Sequence, residues 1–347
     1  MKTNKRILVA IATVLFTGAN TSMSAKSWRI HNVAIYKPHF TSINDAMASE
    51  NVQDGDTLYL DPGSTISETQ NVTKRVTIIG PGYFMQERSY GIATINNSIY
   101  MKAEGSKLEG VYVNRIYIAA SQVTIERCRL WYGIRASGNN AQMATIRQCY
   151  LMNCDNNIEI RGGGKQDVQS ALWRIEGCQI SGYYNNPIHD LYQAVIANNY
   201  IRNTYNNSTQ ILGNLSDCII TDNIIHKTHE NYKNNIYSGL TNCTLQNNIL
   251  SCEESVATDF PNNIFLGSSD VSNVATLTGN DLFQLVDGSP AKGNASDGTD
   301  IGPTGGQCPY VSNGRPYGMP WYPTSIVATA PKDGKVNVNI KIQVQDE

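Results

Sequence analysis
Charge is scarce in this sequence. Asp, Glu, Lys and Arg supply 16% of its 347 residues and nearly cancel, leaving a formal net charge of -2. Nucleic-acid binding through phosphate contacts needs a basic surface, so that class is excluded, and there is no acidic tail. The apolar run at residues 7–16 falls well short of the roughly 20 residues that a membrane-spanning helix requires. The eight cysteines contain no Cys-x-x-Cys pair, which removes the common structural zinc frameworks. Gly162-Gly163-Gly164-Lys165 lacks the spacing and the following Ser or Thr of a phosphate-binding loop. Phenylalanine is sparse at six against nineteen tyrosines, and outward tyrosines offer flat faces with a polar rim, suited to sugar rings or to stacking on one another.

One short pattern is abundant. Between residues 123 and 252 an aliphatic residue, two variable residues, Cys or Asn, a variable residue and a second aliphatic recur six times. The lead aliphatics are Ile125, Ile146, Ile175, Ile196, Ile220 and Leu245; the fourth positions are Cys128, Cys149, Cys178, Asn199, Asn223 and Asn248. The leads lie 21, 29, 21, 24 and 25 residues apart. Repeats of that length, alternating apolar and polar rather than showing helical faces, specify a solenoid of short strands.

Asn at the fourth position suits a turn, because it tolerates left-handed backbone angles and its amide bonds to the main chain. In coils stacked about 4.8 Å apart these side chains form an internal ladder, continued by the three cysteines as small buried groups. Cys218 and Cys243 share another register position, five residues before their Asn. Parallel stacked side chains do not readily meet disulfide geometry, so most thiols are expected to be free.

Lys2, Lys5 and Arg6, the apolar run and the small or polar residues to Ala25 read as a signal peptide over residues 1–25, which predicts a secreted protein: extracellular, at the cell surface or periplasmic. Residues 26–306 form the solenoid, opened by a short helix that Ser42 and Asp45 cap and that closes the N-terminal end. The third repeat is lengthened by a glycine loop at residues 161–167. From Gly288 the repetition stops, and residues 307–347 read as a Pro-rich connector and an amphipathic β tail with Val338, Ile340 and Ile342 on one side. The tail strand either covers the last coil, which is favoured, or adds to the sheet of a protein partner.

The coils, together with Phe40-Thr41-Ser42-Ile43-Asn44-Asp45-Ala46-Met47 leading to Gly55-Asp56-Thr57-Leu58-Tyr59-Leu60-Asp61-Pro62-Gly63, and Ser289-Pro290-Ala291 leading to Asp300-Ile301-Gly302, resemble the secreted parallel β-helix proteins of the pectin-lyase-like superfamily over residues 30–306. The resemblance implies an all-β, right-handed parallel β-helix. It does not select an activity, since that superfamily spans lyases, hydrolases, esterases, binding proteins and tailspikes. The Gly-His-Gly and paired aspartates of polygalacturonases and the Arg-x-Pro-x-x-Arg of pectate lyases are absent. Asn157-Ile158-Glu159-Ile160-Arg161-Gly162-Gly163-Gly164 is similar to a strand and loop of β-helix alginate and chondroitin lyases, which implies calcium if the chain is such a lyase. The lysine-bearing motif that those enzymes carry on the following coil is missing, and no other cofactor is expected.

Stacking makes neighbours of outward residues on successive coils. The column Glu126, Arg147 and Glu176 alternates in sign and is expected to be a solvated register device, each exposed pair contributing about 0 to 1 kcal/mol. A second column, directly after the later strand's aliphatic, holds Arg135, Glu159 and His189, with Tyr237 two coils on and Arg161, Lys165, Asp167 and Asp190 near. Glu159, Arg161 and His189 are the catalytic candidates, because acid and base must reach one substrate proton. Arg135, Lys165, Asp190 and Tyr237 are the substrate-binding candidates, with arginine suited to ligand carboxylates. His226 and His229 read as solvated turn residues, and no metal site is expected. The favoured expectation is an exported β-helix that binds or helps process a polysaccharide on an outward sheet face. The alternatives are a polysaccharide lyase or glycoside hydrolase acting on an acidic glycan, and a non-catalytic structural or adhesive surface protein.

Overall fold
A computed structural model describes residues 25–83, 91–138, 140–152, 158–164, 166–268, 270–278, 282–311, 314–316, 322–328 and 338–343. The signal-peptide reading, but for Ala25, and the candidate Lys165 lie outside the described residues.

The chain folds as a parallel β-helix, because no single coil can bury its own apolar side. Ile125, Ile146, Ile175, Ile196, Ile220 and Leu245 are consecutive register partners, and Leu108 and Ile78 extend their column toward the N-terminus. All eight are at most 2% exposed. They line a first face of ten parallel strands, from Ser27–Ile30 to Thr244–Gln246. The second and third faces begin as the separate strands Thr65–Ile66 and Gln70–Val72 and fuse in the long strands Thr94–Met101, Tyr112–Ile118 and Arg129–Ala136, which shift register between Ile95 and Ser98 and between Leu130 and Gly133. Beyond that fork the second face continues through Tyr150–Leu151, Gln179–Gly182, Tyr200–Asn203, Ile224–Lys227, Ile249–Leu250 and Ile264–Phe265. The third continues through Glu159–Arg161, Ile188–His189, Leu212–Gly213 and Tyr237–Ser238.

The predicted ladder forms at the turn between the first and second faces. Asn199, Asn223 and Asn248 each donate an amide proton to the next Asn oxygen at 3.0 Å, and the backbone N–H of Cys178, Asn199 and Asn223 meets the next oxygen at 2.9 Å. Asn263 closes the ladder, a residue missed because its coil is shortened to 15 residues. Cys149 sits between its neighbours as expected, its N–H on Cys178 Sγ at 3.4 Å and the Cys128 carbonyl bonded to Tyr150. The seven described cysteines are free.

Ser42 caps the helix Ile43–Ala48 by accepting from Asp45 N at 3.0 Å. Ile43, Ala46 and Met47 are buried, and Asn44 bonds to Thr69, Gln70 and Asn71 in and beside the strand Gln70–Val72, which has no other described strand on that side. The tail forms an antiparallel hairpin of Tyr322–Ala328 and Val338–Gln343, which pair with each other and with no other described strand.

The segment after the last coil does not simply lead away from the solenoid. Val274, Phe283, Ala291 and Ile301 pack on Tyr150, Tyr200, Ile224 and Ile249, the outward side of the second face. Residues 296–311 and 314–316 then run back along the turn edge of the first face, held by side chains in the turns. Asp222 accepts from Ser296 N and Oγ at 2.8 and 2.6 Å, and Asn198 donates to the Asp300 carbonyl at 3.3 Å. Gln148 donates to the Pro309 carbonyl at 2.6 Å, and Arg127 to the Arg315 carbonyl at 3.4 Å. Those four turn residues have φ of 49 to 57°, the left-handed turn that aims them outward at the strap.

This strap corrects the reading of Glu126, Arg147 and Glu176. They are register neighbours, but Glu126 is 2% exposed and not solvated. Glu126 and its stacked neighbour Glu109 share two cations: Lys107 lies 2.7 Å from each, and Arg127 bonds to both. Arg147 adds a third contact to Glu126 at 3.0 Å. Burial pushes the Glu126 pKa up, but the hydrogen bond from Lys107 and the charge of Arg127 outweigh it and hold the carboxyl below its usual range. His226 is also corrected: it lies in the strand Ile224–Lys227, is 7% exposed and bonds to Tyr200 Oη at 3.1 Å.

Candidate functional site
The third face brings five of the proposed residues into one hydrogen-bonded cluster. Glu159 takes Arg135 Nε on one oxygen and His189 Nε2 on the other, the latter at 2.9 Å. His189 Nδ1 lies 3.1 Å from Asp190 Oδ2, which also accepts from Arg161 Nε at 3.0 Å. Asn214 donates to the second Asp190 oxygen at 3.2 Å.

The register explains which candidates meet and which do not. Ile134, Ile160, Ile188, Leu212 and Tyr237 are successive partners on the inward side, so Arg135, Arg161, His189, Gly213 and Ser238 form the outward row. The expected alignment took Ile158 in place of Ile160 and Ile236 in place of Tyr237. A slip of two keeps a side chain on its face, and Glu159 remains outward, one step aside as the partner of Gly133. A slip of one reverses it. Tyr237 therefore packs against the core and Phe260 and donates to the Val256 carbonyl at 3.0 Å, which removes it from the binding set. Asp167 caps the short 3-10 helix Val168–Ser170 and does not reach the cluster.

Gly133 makes room for Glu159. At φ 112° it has no Cβ, and one there would lie 2.0 Å from the Glu159 carbonyl oxygen. Glu159 is consequently 1% exposed. Burial acts to raise its pKa, while the His189 hydrogen bond and the Arg135 charge lower it, and the net shift is downward. Both oxygens of Glu159 and both ring nitrogens of His189 are engaged. The arrangement fixes charge in place. Each Glu159 oxygen keeps a second lone pair, but at 1% exposure neither is open to a ligand.

The outward row continues beyond the proposed residues. Tyr117 and Tyr100 are the next register partners of Arg135, and their rings stack at 4.5 Å with 12° between planes. Lys102 Nζ lies 5.4 Å from the Tyr100 ring centre. The row from Tyr100 to His189 spans about 19 Å at the usual strand spacing. These tyrosines escaped the sequence reading because the early coils lack the hexad, although the alternation Ile116-Tyr117-Ile118 places Tyr117 outward.

Lys227 was also missed. It is fully buried, and Nζ reaches only neutral oxygens: Asn203 Oδ1 at 2.7 Å, the Thr209 carbonyl at 3.0 Å and Asn207 Oδ1 at 3.4 Å. Burial lowers its pKa to about 8. It anchors the loop carrying Tyr205, whose ring lies 4.4 Å from both Tyr183 and Tyr184. No protein-family model matches this chain, and no curated protein sequence matches it.

Proposed function
We propose that this chain is an exported, pectin-lyase-like β-helix that binds a polysaccharide along its third face, with the glycan lying from Tyr100 toward His189. One observation carries the reading: stacked tyrosines run directly into Arg135, Arg161 and His189 in a single outward row. Among the described residues the hydrogen bonds of those polar side chains stay within the face, and no described segment ties it shut as the strap ties the turn edge. Stacked face to face, Tyr100 and Tyr117 leave ring edges and hydroxyls for a glycan, and the fixed charges beside them take its hydroxyls.

Calorimetric titration with neutral and acidic oligosaccharides of six or more rings tests this. Tyr117→Ala and Arg161→Ala are each expected to weaken binding about tenfold. A folded protein that binds no member of the panel at millimolar concentration sinks the reading. A lyase or hydrolase would require Glu159 or His189 to leave its present partner. New unsaturated or reducing ends released from the same panel, and lost in Glu159→Gln, would put that activity in place of binding alone.

A further inference from the structure
One guanidinium on the third face lacks what the others have. Arg135 is neutralised by Glu159 and Arg161 by Asp190. Arg115 sits in the adjoining outward row, between Ser98 and Gly133 and one coil further from Glu159. Its Nε is buried without a hydrogen-bond partner, and among the described residues no carboxylate pairs with it. Its guanidinium carbon lies 5.2 Å from the ring of Tyr132. Trp131, beside Tyr132 at the fork, is 37% exposed and Tyr132 36%, and Trp131 leans on Tyr112 at 6.3 Å. A cation backed by an aromatic ring and without a carboxylate among the described residues is completed by an anionic oxygen on its open side. The exposed rings beside it suit an anion that is itself carried on a ring.

The carboxylates decide how many such anions the face takes. Glu159 lies about 10 Å beyond Arg115 at the strand spacing, and Asp190 lies further along. Each has already claimed the arginine nearest to it, so a ligand acid at those coils meets a like charge and no spare cation. We propose that Arg115, seated on Tyr132 and flanked by Trp131, receives one isolated acidic substituent of an otherwise neutral glycan, and that the face discriminates against polymers with an acid on every ring. This rests on the glycan-binding reading above and specifies the charge pattern of its ligand.

The test compares neutral hexasaccharides, the same hexasaccharides bearing one glucuronate, and hexagalacturonate, by calorimetry on the full chain. The singly charged probes are expected to bind at least tenfold more tightly than their neutral parents and than hexagalacturonate. Arg115→Gln should erase that advantage, and Trp131→Ala should weaken both neutral and singly charged probes. Thermal unfolding of each variant confirms that it is folded. Hexagalacturonate binding as tightly as the singly charged probes, or an advantage that survives Arg115→Gln, overturns the proposal while leaving glycan binding standing. Binding by no probe overturns both.

Discussion

Glu126 and Glu159 are a matched pair placed in different surroundings. Both extend from strands of the same solenoid, both are nearly inaccessible, and in both nearby cations hold the pKa down against burial. Around Glu126 the cations are Lys107, Arg127 and Arg147, and Arg127 is itself 2% exposed under the strap. Around Glu159 they are Arg135 and His189, with Arg161 beyond, and the arginine side chains are 31% and 48% exposed. The same chemistry is structural where a later segment covers it and available to ligands where none does. Burial of the carboxylate alone does not tell the two apart, and neither does the exposure of its partners, since Lys107 and Arg147 are 28% and 35% exposed; contact with the strap does, through Arg127 on the Arg315 carbonyl and Arg147 on Cys308 Sγ.

The comparison breaks most visibly at Glu126. Glu126→Gln leaves Arg147 without a carboxylate and Glu109 alone to hold Lys107 and Arg127 in a partly dry site, and a loss of about 3 kcal/mol is expected in urea unfolding, with glycan affinity unchanged. If affinity falls instead, the division into covered and open sides is wrong. Acid unfolding adds a check of sign. A carboxyl whose folded pKa is depressed contributes stability that is present above its unfolded value of about 4.3 and lost as pH falls through the folded value. Glu126→Gln should therefore flatten the acid limb of the stability profile, and Glu159→Gln should flatten it less.

Lys227 gives the next effect. Lys227→Met leaves the Thr209 carbonyl without its donor and Asn203 Oδ1 with the Tyr205 N–H alone, and a loss of about 2 kcal/mol is expected near neutral pH. Its folded pKa is lowered, so between about 8 and the unfolded value near 10.4 the unfolded chain binds the extra proton. Stability should rise with pH across that window in the parent protein and stay flat in the variant. Glu159→Gln should cost only about 1 to 2 kcal/mol, because Arg135 and Arg161 remain partly hydrated, yet weaken glycan binding about tenfold. The smallest change belongs to Tyr237→Phe. It removes one hydrogen bond, for about 1 kcal/mol, and must leave glycan binding untouched if that ring faces inward.

Much of the third face was readable from single residues. Arg135, Glu159, Arg161, His189 and Asp190 were drawn together because an aliphatic precedes most of them at the coil spacing. The stretch Ile158-Glu159-Ile160-Arg161 reads equally well in two registers, and only the inward pairing of Ile160 with Ile134 chooses between them. Tyr237 was lost for the same reason, since its coil presents Ile236 and Tyr237 as rival inward residues. Arg115 and Trp131 gave no signal, because an unsatisfied cation is defined by neighbours that fail to reach it.

The sequence by itself determined the solenoid, its ladder and the free thiols, because repeat length, alternation of two and the Asn or Cys turn position are local properties that each coil states again. Only the tertiary structure decided which acids are buried, which arginines remain unmatched and which face stays open. Burial at the turn edge follows from where residues 296–311 and 314–316 come to rest across many coils, and no local pattern records contacts made a hundred or more residues away.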